Sequence, residues 1–135
     1  MTSLSSLLGA LMTILQTHPV CEHAAVIETK TFSPDQFFFK IRAELIKNHL
    51  FQVRIYYNRE HIDYAYQLFT DVPLLRWDNK EEFPHLETYP HHHHNEQGYV
   101  TPSPLSGDPL SDIEAVLQEV TTFLFRQSQG VITDD

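Results

Sequence analysis

Cysteine is nearly absent: Cys21 stands alone among 135 residues. No intrachain disulfide framework can form, and a zinc site built only of thiolates is excluded. A reducing cytoplasm fits such usage. Cys21 itself is expected to pack as a small buried hydrophobe rather than act as a nucleophile. Long apolar runs are also missing, so no stretch reaches the length of a membrane span. Residues 2–17 are apolar, but no Lys or Arg precedes them, and Ser, Gly, Thr and Gln interrupt them. They suit an amphipathic helix better than a signal peptide. There is no internal repeat and no linker. Basic residues are scarce: nine Lys and Arg face eighteen Asp and Glu, a formal net charge of -9. Taken whole, that balance argues against nucleic acid, because phosphate binding needs positive potential.

The charge is unevenly spread. Lys40, Arg42, Lys47, Arg54 and Arg59 share their stretch with a single acid, Glu44. Acids gather instead between Asp78 and Glu119. The middle of the chain is locally basic and the C-terminal part acidic. Hydrophobic residues make up 41%, with nine Phe, six Tyr and one Trp. That supplies a core for one globular domain over residues 1–135.

Leu4, Leu7, Leu8, Leu11 and Leu15 recur at three and four residues and make one stripe of a helix, which Met12 widens. Ser or Thr at positions 2 to 6 can cap it, and His18-Pro19 ends it. Glu22 to Thr31 form a first strand. Phe37, Phe39, Ile41, Ala43 and Leu45 then alternate with polar or outward positions, the clearest strand pattern in the chain. Phe51 to Tyr57, Ile62 to Phe69 and Leu74 to Trp77 give three more. Hairpin-sized gaps separate them, so the strands form an antiparallel meander. Residues 79–109, with five prolines, follow as a long loop, a length that marks functional or disordered segments; Gly98-Tyr99-Val100 can add a short strand within it. Ser111-Asp112-Ile113-Glu114 has capping-box form. It opens a C-terminal helix with Ile113, Val116, Leu117, Val120 and Leu124 as its buried stripe. Gln129-Gly130 ends that helix, and residues 129–135 make a loose tail. The expected fold is α+β: an N-terminal helix, a five-stranded antiparallel meander, a long His-rich loop, and a C-terminal helix. Both helices cover one sheet face. Lys40, Arg42, Arg54 and Tyr56, with Tyr64 or Tyr66, occupy the other, where they can hold RNA by phosphate contacts and base stacking.

Chemistry concentrates between residues 76 and 94. Arg76-Trp77-Asp78-Asn79 is followed by Pro84-His85 and then by Pro90 and four consecutive histidines, His91 to His94. Five of the nine histidines fall within ten residues. Imidazoles titrate near pH 6.5 and can trade protons at neutral pH or bind metal. As ligands, His91 and His93, or His92 and His94, point the same way in an extended segment, and Asp78 or Glu82 can complete a set. The spacing matches no specific zinc motif. As acid/base catalysts, two histidines can divide phosphodiester cleavage between them. Arg76 is the nearest cation for the developing phosphorane charge. Arg76 equally suits an ion pair with Asp78 or Glu60. Asp78-Asn79 suits a turn, and Trp77 suits the core.

The Arg76-Trp77-Asp78-Asn79 box and the Tyr89-Pro90-His91-His92-His93-His94 box together resemble the TumE-like toxins of bacterial and archaeal toxin–antitoxin pairs. Those proteins are similar in carrying an R-[YW]-D-N box, a spacer, and an aromatic-Pro-His-His-x-His box. Arg76, Asp78, Asn79, Pro90, His91, His92 and His94 match. His93 stands where Lys is frequent. The spacer departs: where the family often has Pro-His-His, this chain has Glu81-Glu82-Phe83, and His85 is its only spacer histidine.

The resemblance implies a cytoplasmic toxin neutralised by a separately encoded antitoxin of the helix-turn-helix type. By analogy with other small toxins it implies a metal-independent endoribonuclease that inhibits translation, with RNA as substrate, no cofactor and no membrane. Arg76, Asp78, His85, His91, His92 and His94 are its candidate catalytic residues. Lys40, Arg42, Arg54 and Tyr56 are its candidate RNA contacts. A homodimer stays open. Two other readings stay beside it: a His-rich metal-binding protein or metal-dependent nuclease, and a non-enzymatic interaction module.

Overall fold

The computed structural model describes residues 2–133, with side chains described through Arg126. Helix α1 spans Leu4–Thr17. Ser3 caps it, its hydroxyl accepting from the Ser6 amide at 3.1 Å, which satisfies one orphan donor of the first turn. His18 is extended, as the residue before Pro19 prefers.

Seven strands follow in a meander: β1 Cys21–Ser33, β2 Gln36–Leu45, β3 His49–Asn58, β4 His61–Phe69, β5 Pro73–Asp78, β6 His92–His94 and β7 Val100–Pro102. Each pairs antiparallel with the next, and the sheet order is the chain order. The five-stranded sheet expected from sequence is therefore two strands short. The segment after β5 does not stay a loop; it returns along β5 and turns back once more. The histidine run hides this because imidazoles are polar on both faces, so β6 shows no apolar–polar alternation. Cys21 begins β1 and is half-buried, not buried as expected.

Alternation along β2 sends Phe37, Phe39, Ile41, Ala43 and Leu45 to one face, where all are buried. The register sets Phe39 against Ile55 and Ile41 against Val53, and these against Tyr64 and Tyr66. Leu7, Leu11 and Leu15 of α1 close over this face with Ile113, Val116, Leu117, Val120 and Leu124 of α2. Both helices thus lie on one side. Tyr64 and Tyr66 belong to that covered side, so Tyr56 alone of the three tyrosines stands on the open face.

Helix α2 spans Pro109–Thr133. It starts before the capping box expected at Ser111. Asp108 caps it, accepting from the Leu110 amide at 3.3 Å and the Ser111 hydroxyl at 2.7 Å. Pro109 takes the first helical position, where its missing N–H costs nothing. Asp112 is freed to turn back onto the preceding bend, accepting from the amides of Ser106 and Gly107. The helix runs past Gln129-Gly130, since a glycine weakens a helix without ending it. The loose tail expected over residues 129–135 is therefore helix as far as Thr133, and residues 134 and 135 lie outside the described residues. Among the described residues no helix is long and apolar enough to cross a membrane.

Candidate active site

The two boxes of the sequence lie side by side as strands. In the β5–β6 pairing Arg76 opposes His94, Trp77 opposes His93, and Asp78 opposes His92. Opposed residues share a face. Arg76, Asp78, His92 and His94 therefore meet on the open face, while Trp77 and His93 turn to the helices.

Asp78 is the hub, and its side chain is only 6% exposed. Its Oδ2 accepts from Arg76 Nε at 2.7 Å. Its Oδ1 accepts from the Lys80 amide at 2.9 Å and lies 3.0 Å from His92 Nε2. His94 Nε2 is 3.9 Å from Oδ2. The buried His92 Nε2 is within hydrogen-bond distance of Asp78 but off the line of a formed bond. His92 Nδ1 lies 3.1 Å from the Pro90 carbonyl, which can only accept, so Nδ1 carries a hydrogen. With Nδ1–H fixed, Nε2 is the atom turned toward the carboxylate. Arg76 is held from a second side, its Nη1 donating to Gln67 Oε1 at 3.2 Å.

His94 is the accessible histidine of the cluster, with a third of its side chain exposed. Burial lowers its pKa first, and His92 adds to this, while Asp78 works the other way. The Phe83 ring covers the pair, 4.8 Å from the His92 ring and 6.2 Å from that of His94. Phe83 belongs to the divergent Glu81-Glu82-Phe83 stretch. His85 is exposed, its ring centroid 6.3 Å from that of Phe83.

His91 and His93 stand apart from this cluster. His91 Nδ1 lies 2.8 Å from the Tyr64 hydroxyl. Burial, with Asp112 and Asp78 adding, pushes the Tyr64 phenol up, so its O–H stays protonated and can donate. Gly107, at φ +98°, leaves room for this ring; a Cβ there would stand 3.3 Å from His91 Cε1. His93 stacks on Trp77 at 4.7 Å and bonds the Arg76 carbonyl through Nδ1 at 3.0 Å. Asn79 clips β5 to β4, accepting from the Tyr64 amide and donating to the Ile62 carbonyl. Of the six candidate catalytic residues, four converge, His85 stands at the rim, and His91 lies on the helix side.

The candidate RNA contacts lie on the open face beside the cluster. Arg42 Nη2 donates to Gln52, Lys40 is 3.9 Å from Glu28, and the Arg54 guanidinium rides over the Phe38 ring. A cavity of about 590 Å3 links Arg54 and Tyr56 to Arg76 and Asp78. Sequence assigned no site role to Gln67 or Phe83, and it set Tyr64 among possible RNA contacts rather than against His91. For Gln67 a signal existed: closing the β4–β5 hairpin sets it opposite Arg76.

The donor atoms of Asp78, His92 and His94 all lie within 4.8 Å of one another. Two histidines and one carboxylate are a donor set that divalent transition metals accept. Arg76 already occupies Asp78 Oδ2 at 2.7 Å, which works against a cation there.

Burial lowers the pKa of His93 and, against an opposing Glu114, that of His18. Such groups charge more readily in the unfolded chain. Their stabilising contribution is complete above the unfolded value of about 6.5 and is lost as pH falls through the folded value. Urea midpoints are expected to drop between pH 7.5 and 5.5, and to drop less in His93→Gln. An equal drop in both proteins would contradict this assignment.

A family model of toxin TumE matches residues 11–124, most of the chain, and that span holds both boxes and the whole cluster. No curated protein and no solved structure matches. Toxins of this family are paired with an antitoxin. The chain belongs to the TumE toxin family.

Proposed function

We propose that this toxin is a metal-independent endoribonuclease that stops translation by cutting RNA on the open face of its sheet. One observation carries the reading: Arg76, His94, His92 and Asp78 converge beside a cavity rimmed by cations and aromatics. His94 takes the proton of a ribose 2′-OH. The 2′-oxygen attacks phosphorus, and the bond to the 5′-oxygen breaks. His85, on the spacer, gives that oxygen its proton. Arg76 donates to the phosphorane oxygens, and Asp78 and His92 hold Arg76 and His94 in place. Lys40, Arg42, Arg54 and Tyr56 guide the strand by phosphate contact and stacking. The setting is cytoplasmic, and the antitoxin is of the helix-turn-helix type; a basic antitoxin surface suits the acidic α2, whose exposed positions include Glu114 and Glu119.

The products test the chemistry. Purified toxin is expected to leave 2′,3′-cyclic phosphate ends, unchanged in EDTA; 3′-OH ends would sink the proposal. The donor triad favours a second reading, a metal-dependent nuclease. Loss of cleavage in EDTA, restored by one divalent metal, would select it.

A further inference from the structure

The open face has one gap in an otherwise long-sided row. Lys40, Arg54, Ala65, Asp78 and His92 oppose one another in turn across five strands. Ala65 alone has no reach, and it forms the floor of the cavity. One wall is the next pair along, Tyr56 opposite Asp63. Phe38 lies below the Arg54 guanidinium, whose centre is 5.4 Å from the ring centroid. Arg76 and Asp78 form the far wall. The volume, about 590 Å3, lies within the range of roughly 300–1,000 Å3 of ordinary small-ligand sites.

Every charged group lining this cavity except Asp63 belongs to the Arg76–Asp78 pair, to the proposed strand path (Arg54) or to the spacer (Lys80, Glu81). Asp63 does not touch the Arg76 cluster. Its Oδ1 lies 2.9 Å from His61 Nε2, which leaves Oδ2 free of any side-chain partner shown among the described residues. A carboxylate only accepts hydrogen bonds. Guanine alone presents two adjacent donors, N1–H and the exocyclic amine, on its Watson–Crick edge. Adenine, cytosine and uracil each offer one donor group with a lone pair beside it. A flat base between Tyr56 and Arg54 would be gripped on its faces and read on its edge.

We propose that the Ala65-floored cavity is a guanine-selective nucleotide subsite, with Asp63 as its reading residue. The proposal rests on the RNA substrate proposed above and names the base next to the cut. The base enters over Ala65, and its phosphate reaches Arg76. Asp63 takes the two guanine donors, one on each oxygen.

Calorimetric titration of the full chain with 3′-GMP, 3′-AMP, 3′-CMP and 3′-UMP tests the subsite without needing cleavage. Binding of 3′-GMP is expected to be about fivefold tighter than that of the other three. That is the low end for a bidentate base contact, because Asp63 is solvent-exposed. Asp63→Asn is expected to bring 3′-GMP to the level of 3′-AMP. Ala65→Leu, checked for an unchanged circular dichroism spectrum, is expected to weaken all four. Equal binding of the four nucleotides, no binding, or a preference that survives Asp63→Asn would overturn the proposal. End mapping on a random-sequence RNA separates the two readings. Selective 3′-GMP binding without RNA cleavage supports the subsite and removes the ribonuclease. Cleavage with no guanine preference at either flank of the cut overturns the subsite and leaves the ribonuclease.

Discussion

His94→Ala is expected to lower RNA cleavage by about a hundredfold to ten-thousandfold, the usual worth of a positioned general base. It should abolish growth arrest on induced expression. His91→Ala, three residues away, is expected to cleave within a few fold of the parent. The contrast follows from strand parity. His94 opposes Arg76 on the open face, one third exposed. His91 lies before β6 and engages the Tyr64 hydroxyl on the helix side. Arg76→Ala should fall with His94→Ala, losing about a hundredfold or more with its donors to the phosphorane. Arg76→Lys is expected to recover little. A lysine offers a point charge but not the fork that meets Asp78 and Gln67 at once. Protein levels must be matched, and cleavage read on purified protein. Equal loss in His91→Ala and His94→Ala would remove the parity argument, and with it the assignment of the base.

Most of the scaffold was legible in the sequence, and its limits have physical causes. β2 was visible because Phe37, Phe39, Ile41, Ala43 and Leu45 are all buried on one face, and only Phe38 on the other face breaks the alternation. The stripes of α1 and α2 were visible for the same reason at a helical period. β6 was not. It is three residues long, and histidine stands on both of its faces. The pairing of Arg76, Asp78, His92 and His94 needs that strand. Sequence put Arg76, Asp78, His92 and His94 in one neighbourhood without saying which histidines share a face with the carboxylate. It could state that His92 and His94 point together; only the register against β5 tells that this pair, and not His91 with His93, meets Asp78. The helix start failed differently. Asp108 and Ser111 both have capping chemistry, and the proline at 109, a strong first-position signal, was the clue that separated them. The roles of Gln67 and Phe83 come from register and from loop closure, which composition does not encode.

Trp77→Ala is expected to cost about 3–5 kcal/mol of folding free energy. That is a large share of the roughly 5–15 kcal/mol holding a typical domain together. Trp77 is 2% exposed. It opposes Tyr66 on β4 and His93 on β6, so its indole spans the junction between the long meander and the short returning strands. Removing it leaves a cavity beneath α2 and takes away the 4.7 Å platform on which His93 rests. The strands on either side should respond unequally. β2 and β3 are long and closed over by both helices, whereas β6 is held through three residue pairs on each flank. Amide exchange should therefore quicken most at His92 to His94 and at Val100 and Thr101, and least at Phe39 to Ala43. Because β6 carries His92 and His94, the variant should lose RNA cleavage under conditions where the rest of the sheet is still folded. Asn79→Ala gives the comparison. It breaks the clip to Tyr64 and Ile62 but spares the indole, so it should cost less and free the end of β5 rather than β6. A urea series on the two variants, with exchange measured below the midpoint, checks the order. Uniform loosening of the whole sheet in Trp77→Ala would mean that β6 is docked by the backbone ladder alone and not by its histidine on the tryptophan.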